Sequence, residues 1–139
     1  MTPAQKRTAA ILCSAGPIEM VIEAAIRKNL GGWYRLRFHR FDSETEMFRI
    51  AQARRIDLVC VYLGNVRWKL GQGSHFQRGL NALAYLKTEY GINAIATQGL
   101  PLAEQAKRVR VAFLQTPFRV DELLKAVRAC LECPTSGPS

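Results

Sequence analysis

The chain has 139 residues, 48% of them hydrophobic and 22% charged, enough for one packed domain and too apolar for a disordered segment. Its 20 Lys and Arg against 11 Asp and Glu leave a formal charge of +9, which favours an anionic partner such as nucleic acid, an acidic protein face or anionic lipid without choosing among them. No apolar run nears the roughly 20 residues of a membrane-spanning helix, and residues 1–8 are polar with no signal-type hydrophobic region behind them, so a cytoplasmic location is expected.

An apolar run at 8–13 predicts a first strand, broken at Ser14-Ala15-Gly16-Pro17. Pro17 suits the first position of a helix, where its missing N–H costs nothing. Ile18, Val21, Ile22, Ala25, Ile26 and Leu30 then repeat at helical spacing, and Gly31-Gly32 is expected to end the helix through a left-handed residue. Over 34–41, Arg35, Arg37 and His39 alternate with Leu36 and Phe38, the pattern of an edge strand whose charges discourage pairing with other chains. Ser43 and Glu46 form a capping box for a second helix that turns Met47, Ile50 and Ala51 inward and ends near Arg54-Arg55. The run 56–65, IDLVCVYLGN, is almost continuously apolar and reads as a strand buried on both faces. Its carboxyl end presents Tyr62 with no acid beside it.

Residues 66–79 show neither helical nor strand period and outrun an ordinary connection, which marks a functional loop. Leu80, Leu83, Ala84 and Lys87 begin a third helix that runs to Tyr90-Gly91, followed by a strand at 92–97. A weaker helix at 100–110 carries Leu102, Ala106 and Val109, and a fifth strand at 111–115 is closed by Thr116-Pro117-Phe118. The last helix has Asp121 and Glu122 early and Lys125 and Arg128 late, as the helix dipole prefers, with Val120, Leu123, Leu124, Val127 and Leu131 inward. Five strands alternating with five helices require an α/β fold, a three-layer α/β/α sandwich on a five-stranded parallel sheet, and the flavodoxin-like order 2-1-3-4-5 fits five strands. One domain is expected over 8–133, with 1–7 an N-terminal tail and 134–139 a C-terminal tail or the start of a linker.

Little in the chain points to catalysis. Cys13 and Cys60 belong to apolar strands, and Cys130 with Cys133 is a lone C-x-x-C at a helix end, too few ligands for structural zinc and at the opposite end of the sheet. There is no phosphate-binding glycine motif, His39 and His75 have no acid at metal-triad spacing, and Ser14 has neither a nucleophile elbow nor a placed histidine. Ser14-Ala15-Gly16 before a helix retains only the weak capacity of backbone N–H groups to hold an anion. No cofactor, metal or enzymatic activity is expected.

From about 8 to 131 the chain resembles the receiver domain of bacterial two-component response regulators. The segments that carry the likeness are 10–17 (AILCSAGP), 56–62 (IDLVCVY), 79–87 (GLNALAYLK), 113–118 (FLQTPF) and 121–124 (DELL), the fifth-strand and last-helix pair being the most specific. The family binds Mg²⁺ with acidic residues and accepts a phosphoryl group on an aspartate. By the resemblance, Ser14 and Ala15 stand where the family has its acidic pair, Tyr62 where it has the phosphoacceptor, and Thr116 where it has the lysine before proline. Thr97 keeps the position of the family's switch hydroxyl and Phe113 that of its switch aromatic, although a strand-end Thr needs no switch to explain it.

The resemblance therefore implies a pseudo-receiver, a phosphorylation-independent protein-interaction module in bacterial signalling or transcriptional regulation. Its partner face would be helix 4, strand 5 and helix 5, the surface receivers use for partners or for homodimers, with Arg108, Arg110, Arg119 and Lys125 as contacts. Tyr62 is expected to fill the vacated pocket with its ring. In the 66–79 loop, Arg67, Trp68, Lys69, Phe76 and Arg78 have the aromatic-plus-cation composition of an interface anchor; alternatively Trp68 folds back over the emptied pocket. The competing reading is a nucleic-acid-binding domain that uses the same loop to stack bases and neutralise phosphates.

Overall fold

In the computed structural model, which describes residues 6–132, the strands are β1 (Arg7–Ser14), β2 (Tyr34–Phe41), β3 (Leu58–Tyr62), β4 (Asn93–Gln98) and β5 (Ala112–Gln115). They alternate with α1 (Pro17–Leu30), α2 (Glu44–Ala53), α3 (His75–Tyr90), α4 (Ala103–Arg108) and α5 (Val120–Glu132). Every pairing is parallel and the order is β2-β1-β3-β4-β5, the flavodoxin-like order expected from the sequence. Because side chains alternate across a strand, β1 sends Ala10 and Leu12 to one face and Ala9, Ile11 and Cys13 to the other. The first face packs against α2, α3 and α4 through Met47, Leu80, Leu83 and Ala106, the second against α1 and α5 through Ile22, Ile26, Leu123 and Val127.

Local chemistry sets the helix ends. Pro17 occupies the first turn of α1. The Ser43 hydroxyl accepts the Glu46 N–H at 3.1 Å, and Glu46 reaches back to the Asp42 N–H at 3.2 Å, one residue before the usual capping-box partner. Gly91 ends α3 in the left-handed conformation, φ 68°, which glycine adopts without the strain a side chain brings. At the sheet edge, Arg27 lies 4.6 Å over the Phe38 ring and Arg40 pairs with Glu23, tying β2 to α1.

Several expectations need correction. Gly31 stays right-handed at φ −63°, so α1 ends in an ordinary turn closed by the Trp33 N–H on the Leu30 carbonyl at 3.0 Å. Val21, counted in the helical apolar repeat, and Val120, expected inward, are 58% and 49% exposed, each lying just off the stripe its helix buries. β3 stops at Tyr62 and the chain bends into a 3₁₀ turn, Leu63–Asn65. The connection after it is shorter than its composition suggests. Ser74 accepts the Gln77 N–H at 3.2 Å and starts α3 at His75, so Phe76, Arg78 and Gly79 are helical. α4 shrinks to six residues. Cys133 and the tails at 1–5 and 133–139 lie outside the described residues.

Candidate functional site

The carboxyl edge of the sheet gathers the ends of β1, β3, β4 and β5, the place where open α/β sheets carry chemistry. Ser14, the last residue of β1, is fully buried, and its hydroxyl accepts the Tyr62 N–H at 3.1 Å while donating to a carboxylate oxygen of Glu19. Glu19 stands in the first turn of α1 and is also fully buried. Asn65, in the turn after β3, donates its amide to both Glu19 oxygens at 3.0 Å. A buried carboxylate is costly unless hydrogen-bonded, and here the hydroxyl, the amide and the positive end of the α1 dipole offset that cost.

Backbone geometry leaves room for this cluster. A Cβ on Gly16 would come within 2.2 Å of the Asn65 amide nitrogen and 2.7 Å of Glu19 Oε1, so a side chain there would push apart the two groups that close the cluster. Arg40 donates to the Ser14 carbonyl at 3.2 Å and the Ala15 N–H to the Phe41 carbonyl at 3.0 Å, which fixes the strand end from the edge side. Tyr62 does have an acid near it: Glu19 is one hydrogen bond beyond the serine that binds its backbone. Neither Glu19 nor Asn65 stood out in the sequence, since an acidic residue in a first helical turn is ordinary.

The other expected pocket residues surround this cluster. Thr97, paired in register with Tyr62, is fully buried and donates its hydroxyl to the Val61 carbonyl at 3.3 Å. The Thr116 N–H bonds the Gln98 carbonyl at 2.9 Å, and the buried Gln98 side chain accepts the Gly99 N–H at 2.8 Å. Tyr62, Thr116 and Phe113 are half-buried and Ala15 is exposed, with Phe113 against the core on the α2 side.

The loop residues separate into core and surface. Trp68 is 2% exposed, its indole N–H bonds the Leu63 carbonyl at 3.0 Å, and its ring lies against Gly79, where a Cβ would come within 2.7 Å. It is therefore neither an exposed contact nor part of the Ser14 cluster; it plugs the space under α3 that Gly79 leaves open. Phe76 is half-buried against the same core, and Arg78 buries its Nε, whereas Arg67 and Lys69 are exposed. Glu44, buried at the start of α2, anchors the loop by accepting the Lys69 and Leu70 N–H groups at 3.4 and 3.2 Å. Arg108, Arg110, Arg119 and Lys125 are all exposed, but Arg110 precedes β5 at φ 62° and Arg119 follows it, so these two sit at opposite ends of the strand.

The donor set does not fit a receiver-type Mg²⁺ ion. A hard divalent cation needs several free oxygens, and the buried Glu19 carboxylate has both of its own committed to Ser14 and Asn65. Among the described residues no group of three or more His, Cys, Asp or Glu is placed to hold a metal. Cys13 and Cys60 face each other across β1 and β3, both fully buried; the hydrogen bond from Cys13, then burial, pushes the Cys60 thiol well above its ordinary range.

No protein-family model matches the chain, and no curated protein does. Solved structures do match it. An uncharacterized protein from Neptuniibacter caesariensis is 16% identical with a TM-score of 0.69, over 92% of this chain and 90% of that one. A putative response regulator from Chloroflexus aurantiacus is 15% identical with a TM-score of 0.67, over 91% of this chain and 100% of that one. The signal receiver domain of an HD domain-containing protein from Pseudomonas fluorescens is 25% identical with a TM-score of 0.61, over 91% and 96%. Response-regulator receiver domains are thus the structural neighbours of this chain, and its fold is theirs.

Proposed function

We propose that this chain is a receiver-like module of bacterial signalling or transcriptional regulation that works through protein contacts and without being phosphorylated. The single observation that carries the reading is the Ser14–Glu19–Asn65 cluster. At the edge where the resemblance would place receiver phosphorylation chemistry, the polar groups are spent on one another, and the side chain at the phosphoacceptor position is Tyr62. Phosphoryl transfer relies on positioned charge and metal, and a closed hydrogen-bonded cluster offers neither. The reading assigns the chain no catalytic step and a cytoplasmic place of work.

The partner surface is α4, β5 and α5, with Arg108, Arg119 and Lys125 as its exposed cations, and a second copy of the chain is one partner it accommodates. The rival, a nucleic-acid binder working through 66–79, loses its stacking ring because Trp68 is core. Amide NMR spectra with and without Mg²⁺ and beryllofluoride test the main claim. Unchanged spectra are expected, and saturable shifts at Ser14 and Tyr62 would overturn it.

A further inference from the structure

The opposite, amino edge of the sheet carries a second feature, unrelated to the Ser14 cluster. Arg37 and His39 project from β2 on the α2 side, since their register partners Ala10 and Leu12 belong to the core on that face. The chain leaving α2 brings Arg54 and Arg55 down beside them. Together with Asp57 these side chains line a cleft of about 360 Å³ floored by Ala10, within the size range of small-ligand sites.

The charges in this cleft are unbalanced. Its one carboxylate is committed: Asp57 Oδ2 accepts the Ala10 N–H at 2.8 Å, and Oδ1 lies 3.5 Å from Arg55. Arg37, His39 and Arg54 make no ion pair with any described residue. Offsetting the C-terminal dipole of α2 accounts for Arg54 and Arg55, but not for Arg37 and His39, which come from a separate strand and line the same hollow. Guanidinium forks match phosphoryl oxygens two at a time, and three guanidiniums around one spent carboxylate suit an anion of at least two charges better than a single carboxylate.

We infer that this cleft binds the di- or triphosphate group of a small molecule, held by Arg37, Arg54 and Arg55 with His39 as a further donor. The β2 edge and the end of α2 are thereby a ligand site separate from the proposed partner face.

The test is an amide NMR titration of the full chain with sodium pyrophosphate, alongside sodium chloride at matched ionic strength and a short single-stranded oligonucleotide. Saturable shifts at Arg37, His39, Arg54 and Arg55 with pyrophosphate are expected. The Arg37→Gln/Arg54→Gln variant should weaken binding about tenfold or more, while Arg108→Gln/Lys125→Gln, which removes the same charge elsewhere, should leave it unchanged. Equal weakening in both variants would reduce the effect to net charge and overturn the site. So would chloride reproducing the shifts, or the oligonucleotide saturating these amides where pyrophosphate does not.

Discussion

At the carboxyl edge of the sheet the fully buried Ser14 and Glu19 are bonded to each other and closed off by the amide of Asn65, while at the amino edge Arg37 and Arg54 are exposed and His39 half-buried, none of the three in an ion pair with a described residue. Burial explains the contrast. An interior polar group must find its hydrogen bonds inside the protein, so its neighbours become fixed by necessity, whereas an exposed cation is solvated by water and remains free for a ligand. Structural cost should therefore concentrate at the first edge and be nearly absent at the second.

The largest effect is expected from Trp68→Ala, which empties a buried ring site and removes the bond to Leu63; urea denaturation should show a loss of about 3–5 kcal/mol. An almost neutral result would mean that the ring packs on the surface. Next comes Glu19→Ala, which leaves the fully buried Ser14 hydroxyl without its acceptor, for a loss of about 1–3 kcal/mol. A double-mutant cycle with Ser14→Ala should reveal positive coupling between the two sites. Strictly additive losses would break the idea of a mutually satisfied cluster.

Between the two edges lies Cys60, and its raised thiol pKa has a pH consequence. The unfolded chain gives up this proton at about pH 8.5 while the native protein keeps it, so above that pH the native state binds more protons and stability falls as pH rises. The contribution is fully present below the unfolded value and declines by at most about 1.4 kcal/mol per pH unit above it. Denaturation midpoints from pH 7 to pH 10 should fall less steeply in Cys60→Ala than in the parent. Arg54→Gln should show the smallest change, within about 0.5 kcal/mol, and a larger loss would place that arginine in the fold rather than in a ligand site.

The architecture was legible in the sequence because it rests on repetition. Alternating strand and helix periods, Pro17 at a helix start, Gly91 at a helix end and the charged edge strand each carry their own local signature. The carboxyl-edge cluster has none. Glu19 looks like any acidic residue in a first helical turn, and its inward course depends on Gly16 leaving space and on Asn65 arriving from the turn after β3, more than forty residues later. Trp68 misled for a related reason: an aromatic in an aperiodic stretch carries no sign of facing, and its burial is decided by Gly79, one turn into a helix that the loop composition disguised. Arg37 and Arg54 come from different elements, and only the packing of α2 onto β2 unites them.

The Glu19 arrangement also bears on how such a chain can change over time. Putting an aspartate at Ser14 would set a second carboxylate beside the buried one of Glu19, and like charges brought together out of bulk water disfavour each other. Removing Glu19 first would leave the buried serine hydroxyl without an acceptor. Either opening move costs stability before a second substitution can make use of it, so no single change turns this closed edge into an acidic one without loss.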